Sequence, residues 1–73
     1  MSDGTINYPP YAHAAIARFV KANWPESVTA GKNGFYWTNL DGNVFAYNTY
    51  EECACDVAFE AGVTADEWAP FLR

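Results

Sequence analysis

Positive charge is scarce in this chain: four Lys and Arg residues stand against nine Asp and Glu, a formal net charge of −5. Phosphate backbones repel such a chain at long range, so direct nucleic-acid binding is disfavoured and a basic protein surface is the favoured partner. Cysteine is nearly absent. Cys53 and Cys55 lie one residue apart in what reads as a helix and point to opposite sides, so no intrachain disulfide is expected, and reduced thiols fit a cytoplasmic home. Long apolar runs are missing as well. Nothing approaches the length of a membrane span, and MSDGTINYPP carries no basic leader region, so a soluble chain with no membrane partner is expected.

The groups that carry chemistry are equally sparse. His13 is the sole histidine and projects to the flank of its helix. Cys53 and Cys55 sit among Glu51, Glu52 and Asp56, which disfavour a thiolate, and two helical residues two apart diverge too far to share a zinc ion with His13. The five glycines read as turns and not as a phosphate cradle. No catalytic residue, cofactor site or metal site is therefore assigned, and a non-enzymatic protein is expected.

Aromatic residues, by contrast, make up 18% of the sequence, which favours a folded chain because large rings repay the entropy of ordering. With 73 residues the chain forms one domain, an α+β unit in the order helix, hairpin, helix. The clearest element is an antiparallel hairpin over Gly34 to Asn48, rich in aromatic and β-branched residues, with its turn at Asn39-Leu40-Asp41-Gly42. A four-residue loop with Gly42 as a bulge, or a two-residue Asp41-Gly42 loop, puts Phe35, Trp37, Val44 and Ala46 on one face. Tyr36, Thr38, Phe45 and Tyr47 then share the other. The first set is apolar and is assigned to the core. The second, with its phenolic hydroxyls, is either covered by other elements or left as an aromatic platform for a partner or a second copy.

Before the hairpin, a helix is predicted from about Pro9 to Asn23, with prolines in its first turn and Ala12, Ala15, Ile16, Phe19 and Asn23 on its core stripe. Trp24 precedes Pro25, which ends the helix. Ser27 to Ala30 and Thr5 to Tyr8 are candidates for short additional strands. After the hairpin, Thr49-Tyr50-Glu51-Glu52 fits a capping box with Glu52 reaching back to the Thr49 amide, and Gly62 fits a left-handed C-cap, so a second helix is predicted between them. Thr64 to Glu67 repeats the capping pattern. Pro70 stops the turn that follows, and Trp68, Phe71 and Leu72 fold back as a lid.

Projected at 100° per residue, the second helix buries Tyr50, Cys53, Ala54, Val57, Ala58 and Ala61. Glu52, Asp56 and Glu60 form a stripe on the far side, beside Cys55 and Phe59. Acidity is concentrated here: residues 1 to 40 hold Asp3 and Glu26 against Arg18, Lys21 and Lys32, whereas residues 41 to 73 hold seven carboxylates against Arg73. The stripe reads either as a solvated face or as a charged rim around an apolar anchor, Phe59, for a Lys- or Arg-rich partner.

One local run, Asp56-Val57-Ala58-Phe59-Glu60-Ala61-Gly62-Val63-Thr64, resembles the first helix and turn of the helix-turn-helix in the lactose-repressor and related families. The resemblance implies a DNA-binding regulator with a reading helix extending to Leu72. The residues that would enter the groove are Ala65, Asp66, Glu67 and Trp68, two of them carboxylates facing phosphate and none suited to a base edge.

The function expected is thus a protein-interaction domain: an inhibitor or adaptor that occupies a basic, nucleic-acid-binding surface of its target. In size and charge it is similar to small phage inhibitors of the anti-CRISPR type. The expected contact residues are Glu52, Asp56, Phe59 and Glu60 together with Tyr36, Phe45 and Tyr47. The alternatives are the DNA-binding regulator over Asp56 to Leu72 and a structural subunit that oligomerises through the aromatic face.

Overall fold

A computed structural model describes residues 8–72. Pro10–Ala12 form a 3-10 turn that leads into helix α1, His13–Asn23. The prolines stand where a helix tolerates the missing N–H, and α1 stops at Trp24, whose N–H still donates to the Val20 carbonyl (2.7 Å) before Pro25 diverts the chain. Ala12, Ala15, Ile16 and Phe19 are buried as expected, joined by Ala17 and Val20. Asn23 is not in the core: it is exposed, and its amide donates to the Phe19 carbonyl (3.0 Å).

Three antiparallel strands follow, β1 Thr29–Gly31, β2 Gly34–Thr38 and β3 Val44–Tyr47, in the order β1-β2-β3. The third strand therefore exists, overlapping the Ser27 to Ala30 candidate at Thr29 and Ala30 and ending one residue later, at Gly31. Most of the Thr5 to Tyr8 candidate lies outside the described residues. Helix α2, Tyr50–Ala61, leads through Gly62 and Val63 to a single-turn helix α3, Ala65–Trp68, and a closing 3-10 turn, Ala69–Leu72. Among the described residues no helix is long and apolar enough to cross a membrane.

The hairpin register corrects the expected division of faces. Phe35 pairs with Tyr47, Tyr36 with Ala46, Trp37 with Phe45 and Thr38 with Val44. Residues directly opposite share a face, so the inner face holds Phe35, Trp37, Phe45 and Tyr47, and the outer face holds Tyr36, Thr38, Val44 and Ala46. The physical reason is the loop. It spans an odd number of residues, because the Asn39 side-chain oxygen accepts from the N–H of both Asp41 and Asn43 (2.9 Å each) while the Asn39 N–H donates to the Asn43 carbonyl (2.9 Å). An odd loop inverts every side chain of β3 relative to an even one. Phe45 and Tyr47 accordingly pack on the core, and Trp37 and Phe45 stack with centroids 5.4 Å apart.

The second correction concerns α2. It lies between two layers, with α1 on one side and β2 and β3 on the other. A helix covered on two sides has no broad solvent face over its middle turns. Cys53 through Ala58 are all buried, including Cys55 and Asp56, which were expected on the outer side, whereas Ala61, expected inside, is exposed. The caps form as the local sequence dictates. The Glu52 N–H donates to the Thr49 hydroxyl oxygen (3.2 Å), although the Glu52 carboxylate accepts from the Thr49 hydroxyl (3.0 Å) instead of from the Thr49 amide. Gly62 is left-handed at φ 76°, and the Val63 N–H donates to the Ala58 carbonyl (2.9 Å). At α3 the Thr64 N–H does reach the Glu67 carboxylate (3.1 Å). Trp68 and Phe71 close over α1, edge-on to Tyr11 and Phe19 respectively, and the Arg18 guanidinium donates to the Phe71 carbonyl (2.7 Å). Leu72, expected in that lid, is exposed.

Gly34 is where the sheet depends on glycine. Its φ is 148°, and a Cβ there would overlap the Tyr47 carbonyl oxygen on β3. Gly34→Ala is expected to cost about 2 kcal/mol or more, combining backbone strain with that overlap. Gly42, also at positive φ but with open space around it, should lose only about 1 kcal/mol on the same change. Denaturant unfolding of the two variants checks the ordering.

Candidate functional site

An open groove of about 650 Å³ lies at the turn end of the hairpin, where the end of α1, the start of β1 and the last turn of α2 converge. Each wall is held by local bonding. Trp24, at the end of α1, packs edge-on against Phe19 (5.4 Å, 89°), and its carbonyl accepts from both the Ser27 N–H (3.0 Å) and the Ser27 hydroxyl (2.7 Å), which turns Glu26 toward the groove. The opposite wall is the Asn39-braced loop carrying Leu40 and Asp41. Leu40 is fully exposed at its tip. Trp37 and Val57 line the interior, and Glu60 adds a third carboxylate from α2.

The chemistry of this groove is uneven in a definite way. Glu26, Asp41 and Glu60 are its charged lining residues, and among the described residues no Lys, Arg or His joins them. Its apolar lining includes two large side chains that water reaches, Trp24 (37% exposed) and Leu40. The loop is braced before any ligand arrives, so holding Asp41 in place adds little ordering cost to binding.

Beneath the groove, Asp56 fixes the interior wall. It is 3% exposed, and one carboxylate oxygen, Oδ2, accepts both the Trp37 indole N–H (2.9 Å) and the Tyr47 hydroxyl (2.6 Å). A buried carboxylate is tolerable only when donors replace its lost water, and here two neutral donors from the hairpin do so. Asp56 is thus a tie between α2 and the sheet, not part of an outward stripe. Nearby, burial and, secondarily, the Asp56 carboxylate push the Cys53 thiol up to about 12, so it stays protonated at neutral pH. Cys53 and Cys55 are both buried, and neither is in a disulfide.

The residues expected to form a contact surface are therefore scattered. Glu60 lies in the groove. Glu52 is half-buried at the N-terminal end of α2, Phe59 is 38% exposed on that helix, and Tyr36 is comparably exposed on the outer face of the sheet. Asp56, Phe45 and Tyr47 face the interior packing. Trp24, Glu26, Leu40 and Asp41 were not anticipated. The available signal was an apolar residue at the tip of an otherwise polar turn, Asn39-Leu40-Asp41-Gly42-Asn43, where burial offers no reason for it.

His13 is half-buried, with its Nε2 3.2 Å from the Tyr8 carbonyl oxygen. Among the described residues no cluster of three or more His, Cys, Asp or Glu has the disposition to hold a metal ion. The helix-turn-helix resemblance ends in a second helix of only four residues, with Trp68 turned inward. Comparison with protein families, with curated proteins and with solved structures finds no match to this chain.

Proposed function

We propose that this domain is a non-enzymatic interaction module, an inhibitor or adaptor, whose groove receives a Lys- or Arg-rich segment with an apolar tip from the basic surface of a partner protein. What carries this reading is one juxtaposition: Trp24 and Leu40, both open to solvent, flanked by Glu26, Asp41 and Glu60 with no cation among the described lining side chains. An exposed leucine alone needs no explanation. An exposed leucine on a braced loop, lining the same acid-rimmed groove as a tryptophan, matches the anatomy of an interface hot spot, in which an apolar centre is surrounded by a charged rim. The three carboxylates favour approach of a basic segment and penalise an acidic one. Glu26 and Asp41 take over the role first given to Asp56 and Glu52, and Glu60 keeps its own.

The test is a fluorescence titration with an alternating Lys/Leu peptide, against the same peptide with Gln in place of Lys. Trp37 and Trp68 are buried, so Trp24 is the tryptophan most open to added ligand. Binding of the Lys peptide is expected at least tenfold tighter than that of the Gln peptide, with most of the difference lost by ~1 M salt, where the screening length falls to about 3 Å. Equal binding of the two peptides, no binding of either, or preferential binding of a DNA duplex at low salt would overturn the reading.

A further inference from the structure

The two edges of the sheet are built differently. β1 is three residues long, ends at Gly31 and is followed at once by Lys32, so it offers little for another strand to pair with. Short length and a lysine are among the devices that protect an edge strand. β3, at four residues, is only one residue longer, but it carries no charge. From Asn43 to Tyr50 there is no charged side chain and no proline, although the whole chain carries a net −5.

The direction of the β3 backbone groups follows from the register. The Tyr47 carbonyl lies directly against Gly34, and the Asn39 N–H donates to the Asn43 carbonyl, so Asn43 and Tyr47 turn their carbonyls toward β2. Bonding alternates along an antiparallel pair. Phe45 shares the parity of Asn43 and Tyr47, and Val44 and Ala46 therefore present their N–H and C=O groups away from β2, to the edge with which no described strand pairs. Both residues are exposed, Val44 to 62%, and they share the outer face with exposed Thr38 and Tyr36.

We infer that β3 is a homodimerisation edge, on which a second copy of the chain adds its own β3 antiparallel to make one continuous sheet. The occupant is a second copy because the edge is self-complementary. A two-fold axis through Phe45 sets Val44 opposite Ala46 of the other copy and Ala46 opposite its Val44, pairing all the outward N–H and C=O groups of those residues in a closed, isologous contact. Charge points the same way. Two copies at −5 each repel over most of their surfaces, and this neutral segment is where they can meet without opposing carboxylates. The contact lies on the edge opposite β1, whose first residue lines the groove, so a dimer presents two grooves open to partners. It stands independently of what those grooves bind.

Sedimentation equilibrium from low micromolar to millimolar protein tests this, with amide hydrogen exchange read on the same samples. The expected result is a mass rising toward twice 8.1 kDa, with the Val44 and Ala46 amides becoming protected as the dimer forms. Val44→Lys and Ala46→Lys, which place charge at the joint, should hold the protein at the monomer mass with an unchanged circular dichroism spectrum. Thr38→Lys, on the same outer face but on the central strand, should still dimerise. A monomer mass for the wild type throughout, a dimer that survives both edge lysines, or exchange at Val44 and Ala46 that ignores concentration would overturn the inference. A strand supplied by a foreign protein would then be the remaining use of this edge.

Discussion

Asp56→Ala is expected to remove about 3 kcal/mol of stability and to lower the melting temperature by roughly 15 °C. Two donors lose their acceptor at once. The Trp37 side chain is buried, so leaving its indole N–H without this acceptor accounts for most of the cost, whereas the Tyr47 side chain is half-buried and its hydroxyl regains part of its loss from solvent. Asp56→Asn keeps a side-chain carbonyl oxygen as acceptor and should lose about half as much. The sign makes this a sharp measurement. If Asp56 stood on a solvated row between Glu52 and Glu60, removing its charge would relieve two like-charge contacts four residues apart and stabilise the helix by about 0.5 kcal/mol. Chemical denaturation of the two variants separates a large loss from a small gain.

Reversing the groove, with Glu26→Lys, Asp41→Lys and Glu60→Lys combined, is expected to weaken binding of the basic peptide at least ~100-fold at low salt while leaving the fold intact. All three side chains are exposed and none bears a hydrogen bond that the fold depends on, so the circular dichroism spectrum and unfolding midpoint should change little. The loss should shrink as salt is added, because the rim is open to screening. Reversing Glu52 instead, away from the groove, should change peptide affinity less than threefold. A triple variant that binds as well as the wild type would show the carboxylates to be a solvating surface only.

The division between what could and could not be read in the sequence is physical. Helix ends are encoded within four residues of themselves: Thr49 and Gly62 bound α2, and Pro25 ends α1, because their bonding and backbone angles are local. The hairpin was legible as an element, but its facing was not. One residue of loop length decides which side Phe45 and Tyr47 take, and that length is set by an Asn39 side chain bonding to two amides at once. The surroundings of α2 were illegible for another reason. A projection assigns a helix one buried stripe, and whether a second layer covers the other side is decided by where α1 and the sheet settle. Asp56 reads as a surface residue by type and spacing, and only the Trp37 and Tyr47 donors brought up by the sheet make its burial tolerable. The groove assembles residues from three separate stretches, Trp24 and Glu26, Leu40 and Asp41, and Glu60, so no single window of sequence contains it.

The most direct measurement is a map of backbone amide chemical-shift changes as the Lys/Leu peptide is titrated into the isotope-labelled protein. The groove assignment requires the largest changes at Trp24, Glu26, Leu40, Asp41 and Glu60, saturating together at one affinity. Changes centred instead on Glu52 and the N-terminal turn of α2, or spread evenly over every carboxylate without saturation, would contradict it.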